Sequence, residues 1–192
     1  MSPNRTTDPR PSLRGRELLL GVSGSIAAYK AAELVSLLVK RGAGVTVLMT
    51  PGAARFIGPL TLATLSRRPV VSDLFDPSCP DVEHIQMTER ADALLVAPAT
   101  ANTLAKLAAG IADCPVTTAA LALKPSTPLI LAPAMNTRMW EHPATRENLR
   151  TLKSRGARIV APAEGLLACG TVGVGKLAAL DDILAALEKA LR

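Results

Sequence analysis

The sequence is poor in aromatic residues, which argues against one common kind of nucleic-acid-binding surface. Its 192 residues include only four aromatic side chains, at Tyr29, Phe56, Phe75 and Trp140. These are too few for a platform on which successive bases stack. The net charge of +6 does not restore the case, because residues 1–16 hold four arginines against one aspartate and so account for half of it. We therefore expect no nucleic-acid partner.

Cysteine and histidine are also scarce. The three cysteines, Cys79, Cys114 and Cys169, are far apart and odd in number, which argues against a disulfide framework or a zinc site and is typical of a reducing cytoplasm. The two histidines, His84 and His142, are isolated in the sequence. We therefore predict no metal site, and either histidine alone is more typical of a surface position than of catalysis.

Long apolar runs and a secretory signal are both missing from the sequence. No run is long enough to cross a bilayer, and the polar, arginine-rich N-terminus has no apolar segment of the kind that targets secretion. We expect a cytoplasmic protein with no membrane partner. The prolines and arginines of residues 1–16 predict a disordered basic leader, and residues 17–192 fit one domain with a substantial core.

The stretch from Glu17 to Gly42 predicts a strand, a tight turn and a helix in direct succession. An apolar run, Leu18–Val22, meets Ser23-Gly24-Ser25, and a helical apolar pattern follows. Such a turn can hold a phosphate on the free N–H groups of the helix N-terminus, but it can equally be a βα turn with nothing bound. It lacks the dinucleotide fingerprint and the nucleophile elbow.

The rest of the chain alternates between strand and helix patterns. Predicted strands are Leu18–Val22, Val45–Thr50, Ala93–Ala97, Leu129–Ala132 and Arg158–Ala161. Predicted helices are Ser25–Lys40, Leu60–Ser66, Asn102–Ala112, Val116–Leu123, Thr145–Arg155 and Asp181–Leu191. Strands that are apolar throughout and alternate with helices indicate an α/β fold with a parallel sheet covered on both faces. We predict a single-domain, three-layer, doubly wound parallel sheet of the Rossmann-like or flavodoxin-like kind.

Three predicted strands end in the same tripeptide, Ala-Pro-Ala, at residues 97–99, 132–134 and 161–163. Because proline cannot continue a central ladder, we interpret each as a strand exit at the carboxyl edge, where open α/β sheets bind ligands. Polar or glycine-rich segments follow, and the last of them, residues 164–176, predicts a flexible flap over that edge. Residues 170–176 match the glycine and lysine positions of a P-loop, but Leu177 stands where magnesium binding requires Ser or Thr.

Together these motifs resemble the flavin-containing cysteine decarboxylases. The resemblance runs from about Leu18 to Leu180 and is closest to the phosphopantothenoylcysteine decarboxylases of coenzyme A biosynthesis. The matching segments are residues 24–30, 84–85, 97–103, 132–140 and 167–170. The Pro-Ala-Met-Asn segment together with the Ala-Cys-Gly segment is the most specific part of the match.

The resemblance implies an FMN cofactor and a trimer, or a multiple of trimers, with flavin near a subunit interface. It implies cofactor-binding roles for Gly24, Ser25, Ile26, Thr50, Thr100, Ala101, Asn102, Thr103 and Ala134. It implies that Asn136 binds the substrate carboxylate beside Met139. His84 would be the catalytic base, and Cys169 would be the proton donor on the flap.

The implied reaction is the decarboxylation of 4′-phosphopantothenoylcysteine to 4′-phosphopantetheine. Oxidation of the thiol-bearing carbon supplies the electron sink that the departing carboxylate needs, and flavin is suited to accept that hydride. Two other functions stay open: a non-catalytic flavin-binding regulatory subunit, and a decarboxylase of a peptide's C-terminal cysteine. Thr171, Val174, Lys176 and the Cys114-Pro115 pair depart from the family's usual residues, and relatives often carry a fused ligase domain for the preceding step.

Overall fold

The computed structural model describes residues 13–75, 83–168 and 170–192, with residues 83–85 described by their backbone alone. The strands are β1 (Glu17–Val22), β2 (Gly44–Met49), β3 (Val70–Val71), β4 (Ala93–Ala99), β5 (Leu129–Pro133), β6 (Arg158–Ile159), β7 (Ala163–Leu166) and β8 (Val172–Lys176). The helices are α1 (Lys30–Lys40), α2 (Pro59–Ser66), α3 (Glu83–Arg90), α4 (Ala101–Ala109), α5 (Pro115–Leu121), α6 (Thr137–Glu141), α7 (Pro143–Ser154) and α8 (Leu180–Ala190).

The first six strands form one parallel sheet in the order β3-β2-β1-β4-β5-β6. The strand order reverses beside β1, so β1 and β4 flank the point at which a doubly wound sheet opens a crevice at its carboxyl edge. This confirms the predicted three-layer fold. The five predicted strands are β2, β1, β4, β5 and β6, which are adjacent in the sheet. The two-residue edge strand β3 was not predicted.

Both faces of the sheet are buried because the central strands are apolar at consecutive positions. In β1, Leu18 and Leu20 point into a core formed with α1 and α8, whereas Leu19 lies in a second core with α4, α5 and α7. Successive side chains of a strand point to opposite faces of the sheet. A strand whose sheet is covered on both faces therefore contributes to two cores. The continuous apolar runs in the sequence follow from this.

The folded domain includes residues that we predicted to be part of the leader. Leu13 is 2% exposed and lies in the core, and the Arg16 guanidinium donates to the Asp92 carboxylate at 2.8 Å. Residues 13–16 therefore belong to the folded domain and not to a disordered leader. Residues 1–12 lie outside the described part of the chain.

Several boundaries differ from the predictions for local reasons. The predicted helix from Ser25 begins instead as a 3₁₀ turn, Ile26–Tyr29, and becomes α-helical at Lys30. Strand β4 continues through Pro98 to Ala99, with a register shift against β5 that tolerates the proline. Helices α3 and α6 were not predicted.

The predicted flap contains regular structure, since β7 and β8 pair as an antiparallel hairpin. Its tip is closed by Leu167 and Gly170, where the Gly170 N–H donates to the Leu167 carbonyl at 2.9 Å. In the described part of the chain, no helix is both long and apolar enough to cross a membrane.

Candidate active site

The turn after β1 is built from small residues because two backbones meet there. A Cβ on Gly24 would lie 2.8 Å from the carbonyl carbon of Gly52, in the turn that follows β2. The Ser25 hydroxyl accepts from the Ala27 N–H at 3.2 Å and so caps the 3₁₀ turn. Gly24 therefore allows the ends of β1 and β2 to meet at the carboxyl edge.

Ser23 ties the end of β1 to the end of β4. This fully buried side chain donates its hydroxyl proton to the Pro98 carbonyl at 2.7 Å and accepts from the Thr100 N–H at 2.9 Å. Thr100 in turn caps α4, accepting from the Thr103 N–H at 3.3 Å. The Thr100–Thr103 segment is thereby held beside the turn at Gly24.

The segment after β5 supplies the third side of the site. Ala134 is buried, and its N–H donates to the Ala99 carbonyl at 3.2 Å. The Asn136 side chain caps α6, with Oδ1 accepting from the Arg138 N–H at 2.9 Å. That cap uses the acceptor oxygen of the amide.

The β7–β8 hairpin lies against this segment through its glycines. The Met135 N–H donates to the Gly175 carbonyl at 2.9 Å, and any side chain at Gly175 would overlap the Met135 carbonyl oxygen. A Cβ on Gly173 would lie 2.5 Å from the Thr137 hydroxyl. Gly173 and Gly175 are therefore needed because the hairpin passes at contact distance from the Met135 backbone and the Thr137 side chain.

Two neighbouring clefts open at this edge of the sheet. The larger, of about 700 Å³, lies between the Gly24 turn, the segment after β5 and the hairpin. The smaller, of about 440 Å³, lies between the turn after β2 and the N-terminal ends of α4 and α5. Residues shared by the two clefts are Gly24, Thr100, Ala101 and Met139.

All eleven predicted cofactor and substrate residues line one or both clefts. Ser25, Ile26, Ala134 and Asn136 line the larger cleft alone. Thr50, Asn102 and Thr103 line the smaller cleft alone. Residues from four separate stretches of sequence are thus brought together, although their roles stay predictions.

The structure does not describe the side chains of the two predicted catalytic residues. The backbone of His84 belongs to α3, but its side chain lies outside the described part of the structure, and Cys169 lies wholly outside it. Their predicted roles therefore remain predictions.

Sequence reasoning missed the charged pair of the smaller cleft. The Lys106 ammonium donates to the Asp113 carboxylate at 2.5 Å, and both residues line the cleft beside Thr117. The hydrogen bond from Lys106 holds the pKa of Asp113 below its usual range. Lys106 follows Thr103 by three residues on α4, so helical spacing could have indicated a shared face.

Comparison with known proteins identifies the family of this chain. The model of the family described as Flavoprotein matches residues 6–192. The chain belongs to this flavoprotein family. The match covers nearly the whole chain, including every residue that lines the two clefts.

The flavoprotein is also similar to individual relatives. It is 51% identical over 177 residues to a probable phosphopantothenoylcysteine decarboxylase of Streptococcus mutans serotype c, covering 92% of this chain and 99% of that protein. It is 48% identical over 178 residues to the coenzyme A biosynthesis bifunctional protein CoaBC of Bacillus subtilis. There the match covers 92% of this chain and 43% of the relative, so the chain spans less than half of that protein.

Solved structures share its fold. A PPC decarboxylase mutant complexed with pantothenoylaminoethenethiol superposes with a TM-score of 0.85 at 32% identity, covering 92% of this chain and 98% of the other. The FMN binding protein AtHal3 superposes with a TM-score of 0.81 at 33% identity, covering 92% and 96%. These matches support a flavin-dependent decarboxylase.

The clefts suit a flavin in their chemistry. The larger cleft is mainly apolar and includes Ile26, Ala134 and Leu177, as a planar ring system requires. The smaller cleft is lined by hydroxyl groups and the Lys106 ammonium, as a polyol chain and an anion require. The Gly24 turn joins the two.

Proposed function

We propose that this flavoprotein is an FMN-dependent carboxy-lyase that converts 4′-phosphopantothenoylcysteine to 4′-phosphopantetheine in coenzyme A biosynthesis. One observation carries the proposal: the small-residue turn at Gly24, the Thr100–Thr103 segment and the Ala134–Asn136 segment border one pair of joined clefts. A binding module for flavin alone does not require Asn136 and Met139 among the residues that line the larger cleft.

Flavin, once bound, supplies a hydride acceptor and donor, and the protein's own residues do the rest. The Asn136 amide donates to the substrate carboxylate and orients it for loss as carbon dioxide. Met139, 48% exposed, forms an apolar wall beside it. His84 takes the proton released in the first step, and Cys169, in the loop between β7 and β8, returns a proton to the product.

FMN is the flavin that we expect, because the chain offers one anion-binding turn and lacks a dinucleotide fingerprint. Purified protein should be yellow, and chromatography of the extracted cofactor should give FMN. Mixing the protein with 4′-phosphopantothenoylcysteine should release carbon dioxide and 4′-phosphopantetheine in equal amounts. FAD in the extract, or no carbon dioxide from the FMN-loaded protein, would overturn the proposal.

We also propose that the protein acts in the cytoplasm as a trimer or a multiple of trimers. Several large apolar side chains are exposed. Ile26 (60%) and Tyr29 (59%) lie on the 3₁₀ turn after β1, and Phe56 (50%) and Leu60 (78%) lie in the segment between β2 and β3. If these side chains form one patch, that patch is the surface that a neighbouring subunit would cover. Light scattering coupled to gel filtration would measure the subunit number.

A peptide substrate is the second candidate, since the same chemistry applies to a C-terminal cysteine. The peptidyl-cysteine decarboxylase EpiD superposes with a TM-score of 0.75 at 26% identity, well below the 51% identity of the Streptococcus relative. A direct competition between 4′-phosphopantothenoylcysteine and a peptide ending in cysteine distinguishes the two, and we expect turnover of the former alone.

A further inference from the structure

The smaller cleft contains one basic residue, Lys106, among the described residues that line it. Lys106 lies on α4 with its side chain 28% exposed. Its ammonium is held by Asp113, which comes from the loop that leads into α5. The position of this cation is therefore set from two separate elements.

The surroundings of Lys106 are those of an anion site. Thr50, Thr100, Thr103 and Thr117 line the same cleft, and hydroxyl groups are common partners of phosphate oxygens. Gly24 borders the cleft as well. An ammonium has three donor positions, so the hydrogen bond to Asp113 leaves Lys106 able to donate to a second oxygen.

We propose that Lys106 contacts the phosphate group of the flavin cofactor and so makes the protein selective for FMN over riboflavin. The inference rests on the proposed function, because it assumes that flavin occupies these clefts. The phosphate and ribityl chain then lie in the smaller cleft, while the ring lies against Ile26 and Ala134 in the larger one. Lys106 acts on cofactor binding and takes no part in the proton transfers.

Substitutions of Lys106 and Asp113 can distinguish a phosphate contact from simple neutralisation of Asp113. The pair of Lys106 and Asp113 is neutral as a whole, so Lys106→Gln leaves an uncompensated carboxylate beside the phosphate. The double variant Lys106→Gln/Asp113→Asn is neutral again but cannot donate an ammonium hydrogen bond. If Lys106 merely neutralises Asp113, the double variant binds FMN as the wild type does. If Lys106 contacts the phosphate, it does not.

The experiment titrates flavin-free protein with FMN and with riboflavin and follows the quenching of flavin fluorescence. We expect Lys106→Gln to weaken FMN binding by about 10- to 100-fold, the range of a charge-assisted hydrogen bond, and to change riboflavin binding by less than about twofold. We expect the double variant to remain at least about tenfold weaker than wild type for FMN. Riboflavin binding also shows that each variant has kept its fold.

The matched control is Lys124→Gln. Lys124 forms an ion pair of the same kind with Glu89 at 2.9 Å, and it lines neither cleft. FMN affinity should not change in this variant. The inference is overturned if the double variant regains wild-type FMN affinity, if FMN and riboflavin weaken equally, or if Lys106→Gln binds FMN normally. A wild-type protein that binds no flavin would refute the proposed function itself.

Discussion

The two edges of the sheet use their polar residues in opposite ways. At the amino edge, charged side chains pair with one another: Arg68 binds both carboxylate oxygens of Glu17, and Arg16 pairs with Asp92. At the carboxyl edge, most polar groups are hydroxyls, amides and backbone N–H groups beside the two clefts, and Lys106 with Asp113 is the close ion pair of the smaller cleft.

This difference shows what each edge contributes. Surface ion pairs between side chains satisfy each other and contribute modestly to stability. Groups that cap short turns and line clefts can exchange partners with a ligand. We therefore expect substitutions at the carboxyl edge to change cofactor binding and turnover, and substitutions at the amino edge to change only stability.

The largest effect is expected for Asn136→Asp. Aspartate caps a helix as well as asparagine does, so α6 should keep its start and FMN binding should stay normal. The new carboxylate, however, faces the carboxylate of the substrate and no longer donates to it. Turnover should fall on the order of a thousandfold or more, which corresponds to the loss of a buried charge-assisted contact. Near-normal activity with FMN bound would show that the substrate carboxylate is bound elsewhere.

Cys169→Ser separates an enzyme from a flavin-binding regulator. A hydroxyl is a far weaker acid than a thiol, whose ordinary pKa is about 8.5, so product protonation should slow by about 10²- to 10⁴-fold. Carbon dioxide should still be released under anaerobic conditions, and the flavin should stay reduced beside a product two hydrogens lighter than normal.

His84→Asn is the matched variant for this experiment. It should block the first step, so the flavin should remain oxidised after substrate is added. Flavin absorbance and product mass, measured for both variants, decide the assignments. A Cys169→Ser enzyme that makes the normal product at the normal rate would leave the cysteine without a chemical role.

Gly24→Ala should weaken cofactor binding, with an effect of intermediate size. The added methyl group would press on the Gly52 backbone, which cannot rotate away as a side chain could. Crowding of this kind costs about 1–3 kcal/mol, and the turn that borders both clefts should shift. We expect FMN affinity to fall by about 10- to 100-fold. Gly58→Ala, at a glycine whose added Cβ would meet no atom within 4 Å, is the control and should bind FMN normally.

The smallest effect is expected at the amino edge, for Glu17→Gln. The hydrogen bond from Arg68 holds the pKa of Glu17 below its usual range. The ion pair therefore stabilises the fold at pH values above the pKa of Glu17 in the unfolded chain. That contribution is lost as the pH falls through the lower pKa of Glu17 in the folded protein. The variant should be less stable by up to about 1 kcal/mol at pH 7, and the deficit should shrink as the pH falls below the ordinary glutamate pKa of about 4.3.

Urea unfolding of wild type and Glu17→Gln at pH 7 and at pH 3.5 measures that deficit. FMN affinity should be the same in both proteins. A loss of FMN binding in Glu17→Gln would break the contrast between the two edges, because it would couple the amino-edge ion pair to the clefts.

The sequence alone was sufficient for the fold class and for eleven of the residues that line the clefts. Consecutive apolar residues in Leu18–Val22 and Ala93–Ala97 require cover on both faces, which leads to a parallel sheet. Small residues and prolines at the strand exits then put Gly24, Thr100 and Asn136 at one edge. These inferences succeeded because they depend on local periodicity and on the geometry that every parallel sheet shares.

The tertiary structure alone decided which distant residues meet. The glycines at 173 and 175 suggested a flexible flap, whereas they are needed because the hairpin passes over the Met135 carbonyl and Thr137. The pairing of Lys106 with Asp113 depends on how α4 leads into α5. Contacts such as these depend on the relative positions of packed elements, which no local pattern of residues encodes.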